Sequence, residues 1–423
     1  MPKARAYGAD ATLKACREAS YGVAPLTGYQ SLDFKSTDLS SAQPLGDDPL
    51  LGRGRNAQDP YRGLITDEGQ LDIPLDLRGT GLWLTGLFGD PVTTPTSASG
   101  SIVFAVNPTA GDTITLNGTA WTFVSGTAGA LETQIQGTAT QTVDQLVSDL
   151  NASADTEIAK CTYSRPTSTQ TLVVVFDVVG PTGNAFTISA SAAAASAATL
   201  TGGGYAHVWE SGADDIPSYT IEVGHPKLTT PVFFRHLGTV MESLNFEMGQ
   251  EGPANARLQL VAQGEERFSA TVDANPTAYA LRRFSQGRGF IRRGGAALAG
   301  VTGGSLTFSN NLERVRVIRE DGKIEAADPT FASAEGSMSV RFDGATLVAE
   351  AANGDPVALE YGFTFPEGYA LRFELPRVFL PKPKYAVSGP GGVEASFDWR
   401  AAYDDSEGTM LRAHLLNDVT SYT

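Results

Sequence analysis

Three short motifs occur twice in this chain, in the same order, and that recurrence constrains its fold more than any other feature. Leu32-Asp33-Phe34-Lys35-Ser36 is followed by Glu68-Gly69-Gln70-Leu71-Asp72-Ile73 and then by Gly89-Asp90-Pro91. Leu306-Thr307-Phe308-Ser309-Asn310 is followed by Glu335-Gly336-Ser337-Met338-Ser339-Val340 and then by Gly354-Asp355-Pro356. In each middle motif the side chains alternate in polarity, the pattern of a strand with one face buried. A unit carried twice points to pseudo-symmetry or self-association, not to one catalytic pocket.

A chain of 423 residues is long enough for two to four domains. Its 46 glycines and 23 prolines, with abundant Thr, Ser and Val, favour short strands joined by many turns. The expected fold class is mainly β: two tandem β-sandwich or barrel domains, read as an internal duplication, plus one small inserted α+β module.

The insertion is read from two shifts in composition. Pro95-Thr96-Ser97-Ala98-Ser99-Gly100 reads as a linker, and Gly202-Gly203-Gly204 marks the return. Between them, Asn117-Gly118 sits between apolar runs and signals a hairpin. Thr142 with Gln145 fits a capping box, and Val143, Leu146, Val147 and Leu150 then share one helical face. The domains expected are therefore 1–97 plus 206–270, the module 98–205, a connector 271–304, and a second unit 305–423. Within the first, Ala11 to Ala19 reads as a short helix. Val315 to Ile324 reads as a hairpin closed by Asp321-Gly322.

The formal net charge is −16, from 47 acidic and 31 basic residues. Such a surface does not grip nucleic acid, because phosphate contacts need Lys and Arg clusters. It suits a passage through which DNA slides without sticking. Cys16 and Cys161 are far apart and read as buried free thiols of a reducing compartment. No secretory signal is visible at Met1-Pro2-Lys3-Ala4-Arg5, and no apolar stretch is long enough to span a membrane.

Catalytic patterns are scarce. The four histidines, His207, His225, His236 and His414, lack zincin spacing. No Gly-x-Ser-x-Gly elbow, P-loop or paired CxxC occurs, so no cofactor or metal is expected. The acidic pairs Asp47-Asp48, Asp214-Asp215 and Asp404-Asp405 read as solvated turns, with glycosidase carboxylates the weaker reading. Two basic stretches stand out instead. The long loop Ser36 to Gly63 carries Arg53, Arg55, Asp59 and Tyr61, and loops of that length are functional or disordered. The connector carries Arg282, Arg283, Arg288, Arg292 and Arg293 among aromatics. Forked guanidinium donors in an acidic protein favour pairing with carboxylates, within or between subunits, over nucleic acid. The contact residues expected between subunits are Arg53, Arg55, Asp59, Tyr61, Arg282, Arg283, Arg292 and Arg293.

Glu18-Ala19-Ser20-Tyr21-Gly22-Val23-Ala24-Pro25, the run Asp38-Leu39 through Gly52-Arg53-Gly54-Arg55, Ser305 to Glu313, and Phe373-Glu374-Leu375-Pro376-Arg377-Val378 resemble bacteriophage tail tube proteins of long-tailed phages. The module, through Gly111-Asp112-Thr113-Ile114 and Gly183-Asn184-Ala185-Phe186-Thr187-Ile188, resembles a recurrent phage-tail β module. The resemblance implies a structural virion protein and not an enzyme. Its strands would join those of neighbours in rings, and the rings would stack into a hollow tube through which DNA passes to the host. The resemblance implies rings of six domains, so three duplicated chains would complete a pseudo-sixfold ring, against a hexamer of unduplicated chains. It also implies assembly in the host bacterial cytoplasm, with the tape measure, tail terminator and baseplate or tip proteins as partners. A tail-tip or receptor- or carbohydrate-binding subunit is the alternative, and a β-rich hydrolase using an acidic pair the third reading.

Overall fold

The computed structural model describes residues 5–422, apart from 168, 342–352, 383 and 386–393. No helix in the described residues is long and apolar enough to cross a membrane. The chain is mainly β, with two α-helices among the described residues.

Ala11 to Ala19 is not a helix. Thr12–Arg17 is a strand that pairs antiparallel with Tyr219–His225 on one side and Gln30–Leu32 on the other. Two ladders outweigh the weak helix preference of the segment, since tertiary context overrides propensity. Thr80–Phe88, by contrast, is a helix without a readable period: every residue of it is buried, so it has no polar face to mark its turns. Its glycines have a packing reason. A Cβ on Gly81 would collide with the Tyr422 ring, and one on Gly86 with the Met241 side chain.

One long sheet runs through both halves of the chain. From one edge inward it places Ser36–Ala42, Thr66–Pro74, Asn255–Ala262 and the second half of Val232–Met248 side by side. It continues through Val301–Ser309, Ser333–Arg341 and Glu394–Ala401 to Lys384–Tyr385. The first half of Val232–Met248 leaves this sheet to pair with Tyr219–His225 and Gly264–Phe268.

The two halves repeat the same six antiparallel pairings in the same chain order. In the first, Thr12–Arg17 pairs with Tyr219–His225, which pairs with Val232–Met248; that strand pairs with Asn255–Ala262 and Gly264–Phe268. Thr66–Pro74 then lies between Asn255–Ala262 and Ser36–Ala42. In the second, Gly289–Arg293 pairs with Val357–Thr364, which pairs with Ala370–Phe379; that strand pairs with Glu394–Ala401 and Arg412–Asn417. Ser333–Arg341 then lies between Glu394–Ala401 and Val301–Ser309.

The registers match residue by residue. Thr12 faces Gly224 and Lys14 faces Glu222; Phe290 faces Gly362 and Arg292 faces Glu360. The hairpin that follows is bulged between Tyr219 and Ile221 in one half and between Val357 and Leu359 in the other. The stretch 271–304 is therefore more than a connector, because Gly289–Arg293 serves as the opening strand of the second set.

The two halves share one hydrophobic core. Phe246 of the first lies 5.0 Å, centroid to centroid, from Phe373 of the second, and Phe88 lies 4.4 Å from Phe308.

Residues 98–200 have a separate core around Trp121, Phe123, Leu146 and Val174. Two four-stranded sheets enclose it with the helix Ala139–Asn151. Thr138, not Thr142, caps that helix, accepting from the Gln141 N–H at 3.3 Å; Thr142 is buried in its first turn. The Pro/Ser/Gly stretch read as a linker is not one. Val92–Thr96 pairs with Gly204–Glu210, and Ser99–Val103 is already a strand of the module. Asn184 grips the exit, bonding Gly203 from both ends of its amide and reaching the Tyr369 hydroxyl at 3.2 Å. The hairpin expected over Val315 to Ile324 instead uses Glu313–Val315 and Ala326–Asp328.

Candidate assembly interface

The N-terminal stretch is held by one carboxylate. Glu18 is buried, and its Oε1 accepts from the Thr220 hydroxyl (2.7 Å) and the Gly238 N–H (2.9 Å). Its Oε2 accepts from the Gly22 N–H (2.8 Å) and the Ser218 hydroxyl (2.7 Å). Gly22 sits at φ +74°, which lets the chain turn back onto this anchor. Glu18 was legible as part of a motif, but its role was not, because three of its four partners lie 200 or more residues on.

Each half sets a carboxylate at the same strand position, Glu222 buried and Glu360 half-buried, and pairs it with cations from both neighbouring strands. Glu222 lies 2.9 Å from Arg235 and 3.9 Å from Lys14. Glu360 lies 3.4 Å from Arg292 and 3.5 Å from Arg372. Removing Glu222 would leave Lys14 and Arg235 facing one another in a partly dry site.

The connector arginines work within the chain. Arg282 pairs with Glu367 at 2.8 Å and stacks 4.3 Å from the Phe365 centroid. Arg283 donates to Asn255 Oδ1 at 2.7 Å. Arg292 adds a stack on Phe290, 4.2 Å from its centroid, to its pairing with Glu360. Arg293 ends the strand Gly289–Arg293 opposite Leu359.

The long loop presents a different picture. Arg53, Arg55 and Asp59 are exposed, and among the described residues no ion pair joins them. Gly52 and Gly54 turn the backbone at φ +85° and +88°. Tyr61 pairs with Gly46 in a two-residue ladder and is exposed. Leu51 is wholly exposed, and Leu45, Leu50 and Leu64 are largely so. These four exposed leucines were not singled out from the sequence.

The edge Ser36–Ala42 consists of two short strands, Ser36–Thr37 and Ser40–Ala42, that pair with Thr66–Pro74 in a single register. Asp38 donates its N–H to Gln70 across the ladder, so the alternate N–H groups point outward. Two of them are occupied by side chains: Leu39 N–H by the Thr37 hydroxyl (3.1 Å) and Ser41 N–H by Glu265 (3.3 Å). At the far edge Lys384–Tyr385 pairs on one side with Glu394–Ala401, and among the described residues no strand pairs with its other side.

Two of the catalytic candidates, Asp404 and His207, have structural partners. Asp404 accepts from the Ser406 hydroxyl and from the N–H groups of Ser406 and Glu407, a turn that holds its carboxyl below the usual range. His207 is buried between Thr93 and Val419, and burial pushes its imidazole below its ordinary pKa. Both cysteines are free; Cys161 is buried, which pushes its thiol up to about 12. No three of the described His, Cys, Asp and Glu residues converge as metal ligands.

The family described as Phage tail tube protein matches residues 8–401. The chain belongs to that family. No curated protein sequence matches it. As a tail tube protein it is a structural component of the virion tail.

Proposed function

We propose that this tail tube protein assembles with itself into closed rings that stack as a hollow tube. Three chains form each ring, and every chain supplies two tube units, giving pseudo-sixfold symmetry. DNA passes through the lumen, and the net charge of −16 keeps the phosphate backbone from adhering. Tape measure, terminator and baseplate or tip proteins meet the tube at its ends and interior. Arg53, Arg55, Asp59 and Tyr61 contact neighbouring subunits, whereas Arg282 reaches Glu367 and Arg292 pairs with Glu360 inside the second unit of its own chain. No chemical step is assigned to the chain.

One observation carries this reading. The two units repeat the same pairings and are already joined edge to edge, Ser243 to Met248 against Ser309 to Gly304. A joint of that kind, repeated with a rotation that divides a full turn evenly, closes a ring. End-on averaging of the purified protein by negative-stain electron microscopy tests it. Hollow rings of three chains with six similar lobes are expected. Rings of six whole chains would overturn the stoichiometry, and solid particles without a lumen would overturn the tube reading in favour of a tail-tip or receptor-binding subunit.

A further inference from the structure

The long sheet has two outer strands, and the repeat says what each should meet. Gly69 and Gly336 are equivalent positions, both pressed against the backbone of the adjacent strand. Ser40 faces Glu68 and Thr307 faces Glu335, so Ser40 corresponds to Thr307. At the other end, Leu71 faces Leu258 and Met338 faces Phe397, so Leu258 corresponds to Phe397. Arg257 then corresponds to Ser396. Asn245 faces Arg257 and Lys384 faces Ser396, so position 384 corresponds to Asn245. Inside the chain Asn245 faces Thr307, with its amide donating to the Thr307 hydroxyl at 2.7 Å. The outer strands are thus the counterparts of two strands that already pair with one another.

We propose that Ser36–Ala42 of one copy pairs antiparallel with Lys384–Tyr385 of the next copy, with Ser40 opposite position 384. This rests on the ring reading above and supplies its joint. The occupant is a second copy of this chain because the chain itself holds the template of the contact. Before assembly, Thr37 and Glu265 occupy the N–H groups of Leu39 and Ser41 that the incoming strand takes over. An exposed strand edge blunted in this way resists indiscriminate pairing. In the internal ladder Phe246 faces Leu306 and Asn245 faces Thr307; adjacent pairs alternate between hydrogen-bonded and closer non-hydrogen-bonded positions. Leu39 and Ser41 turn their N–H groups outward, so Ser40 between them falls on the closer, non-hydrogen-bonded kind, and its Cβ separation from position 384 suits a disulfide.

The full-length chain carrying Ser40→Cys and Lys384→Cys tests this, with the single variants as controls for Cys16 and Cys161. After mild oxidation, non-reducing electrophoresis should show a ladder of covalent multimers ending at the ring size for the double variant, and monomers for each single variant. Mixing the two single variants should give covalent heterodimers and nothing larger, which keeps the test open if the double variant folds poorly. Rings visible by electron microscopy without any cross-link would overturn this pairing while leaving the tube reading standing. No rings from the unmodified chain would overturn both.

Discussion

Glu18 shows how much of this architecture hangs on single polar side chains. It accepts three hydrogen bonds that tie the N-terminal stretch to Ser218, Thr220 and Gly238, and a fourth from the Gly22 N–H. Glu18→Ala should orphan the buried Thr220 and Gly238 donors and lower stability by about 2–4 kcal/mol, read as a fall in the urea midpoint. Glu18→Gln, which keeps one acceptor oxygen, should lose less; equal losses would show that packing and not the acceptor set matters. The sequence displays Glu18-Ala19-Ser20-Tyr21-Gly22 as a motif, yet gives no partner for it. The same holds for Glu222 and Glu360: alternation marks their strands, but only the ladders place Lys14, Arg235, Arg292 and Arg372 beside them.

Elements with one buried face were legible, and those buried all round were not. Ser333–Arg341 and Asn255–Ala262 alternate and read correctly as strands. Thr80–Phe88 has no exposed face to give it a readable period, and Thr12–Arg17, with partners on both sides, is a strand where a helix was expected. Gly336 makes the dependence on neighbours concrete. A methyl there would collide with the Ser305 carbonyl and press on Trp399. Gly336→Ala should therefore cost about 3 kcal/mol by overpacking a sheet that cannot spread. Gly126→Ala, with open space around it, should leave the melting temperature nearly unchanged. Equal effects of the two would remove close strand packing as the reason for the Gly69 and Gly336 positions.

For the molecule as a whole, the question is what the module contributes. Thr96 and Gly204 face one another across a ladder, so its two ends meet at neighbouring positions of one hairpin. Replacing 97–203 by a short Gly/Ser turn should close that hairpin at little cost, as insertions at loop tips are removable. The replacement also removes the hydrogen bonds from Asn184 to the Tyr369 hydroxyl and from the Gly202 N–H to the Glu367 carbonyl. The shortened chain should still form rings by electron microscopy; a folded chain that no longer assembles would make the module part of the joint. The sequence by itself determined the β class, the paired motifs, the separate module and the acidic surface, because composition and period-two alternation are local properties of the chain. Only the tertiary structure decided that both halves share one core and one sheet, which strands are counterparts, and which arginines are already paired. Those facts depend on hydrogen bonds and packing between residues far apart in the chain, and no local pattern encodes them.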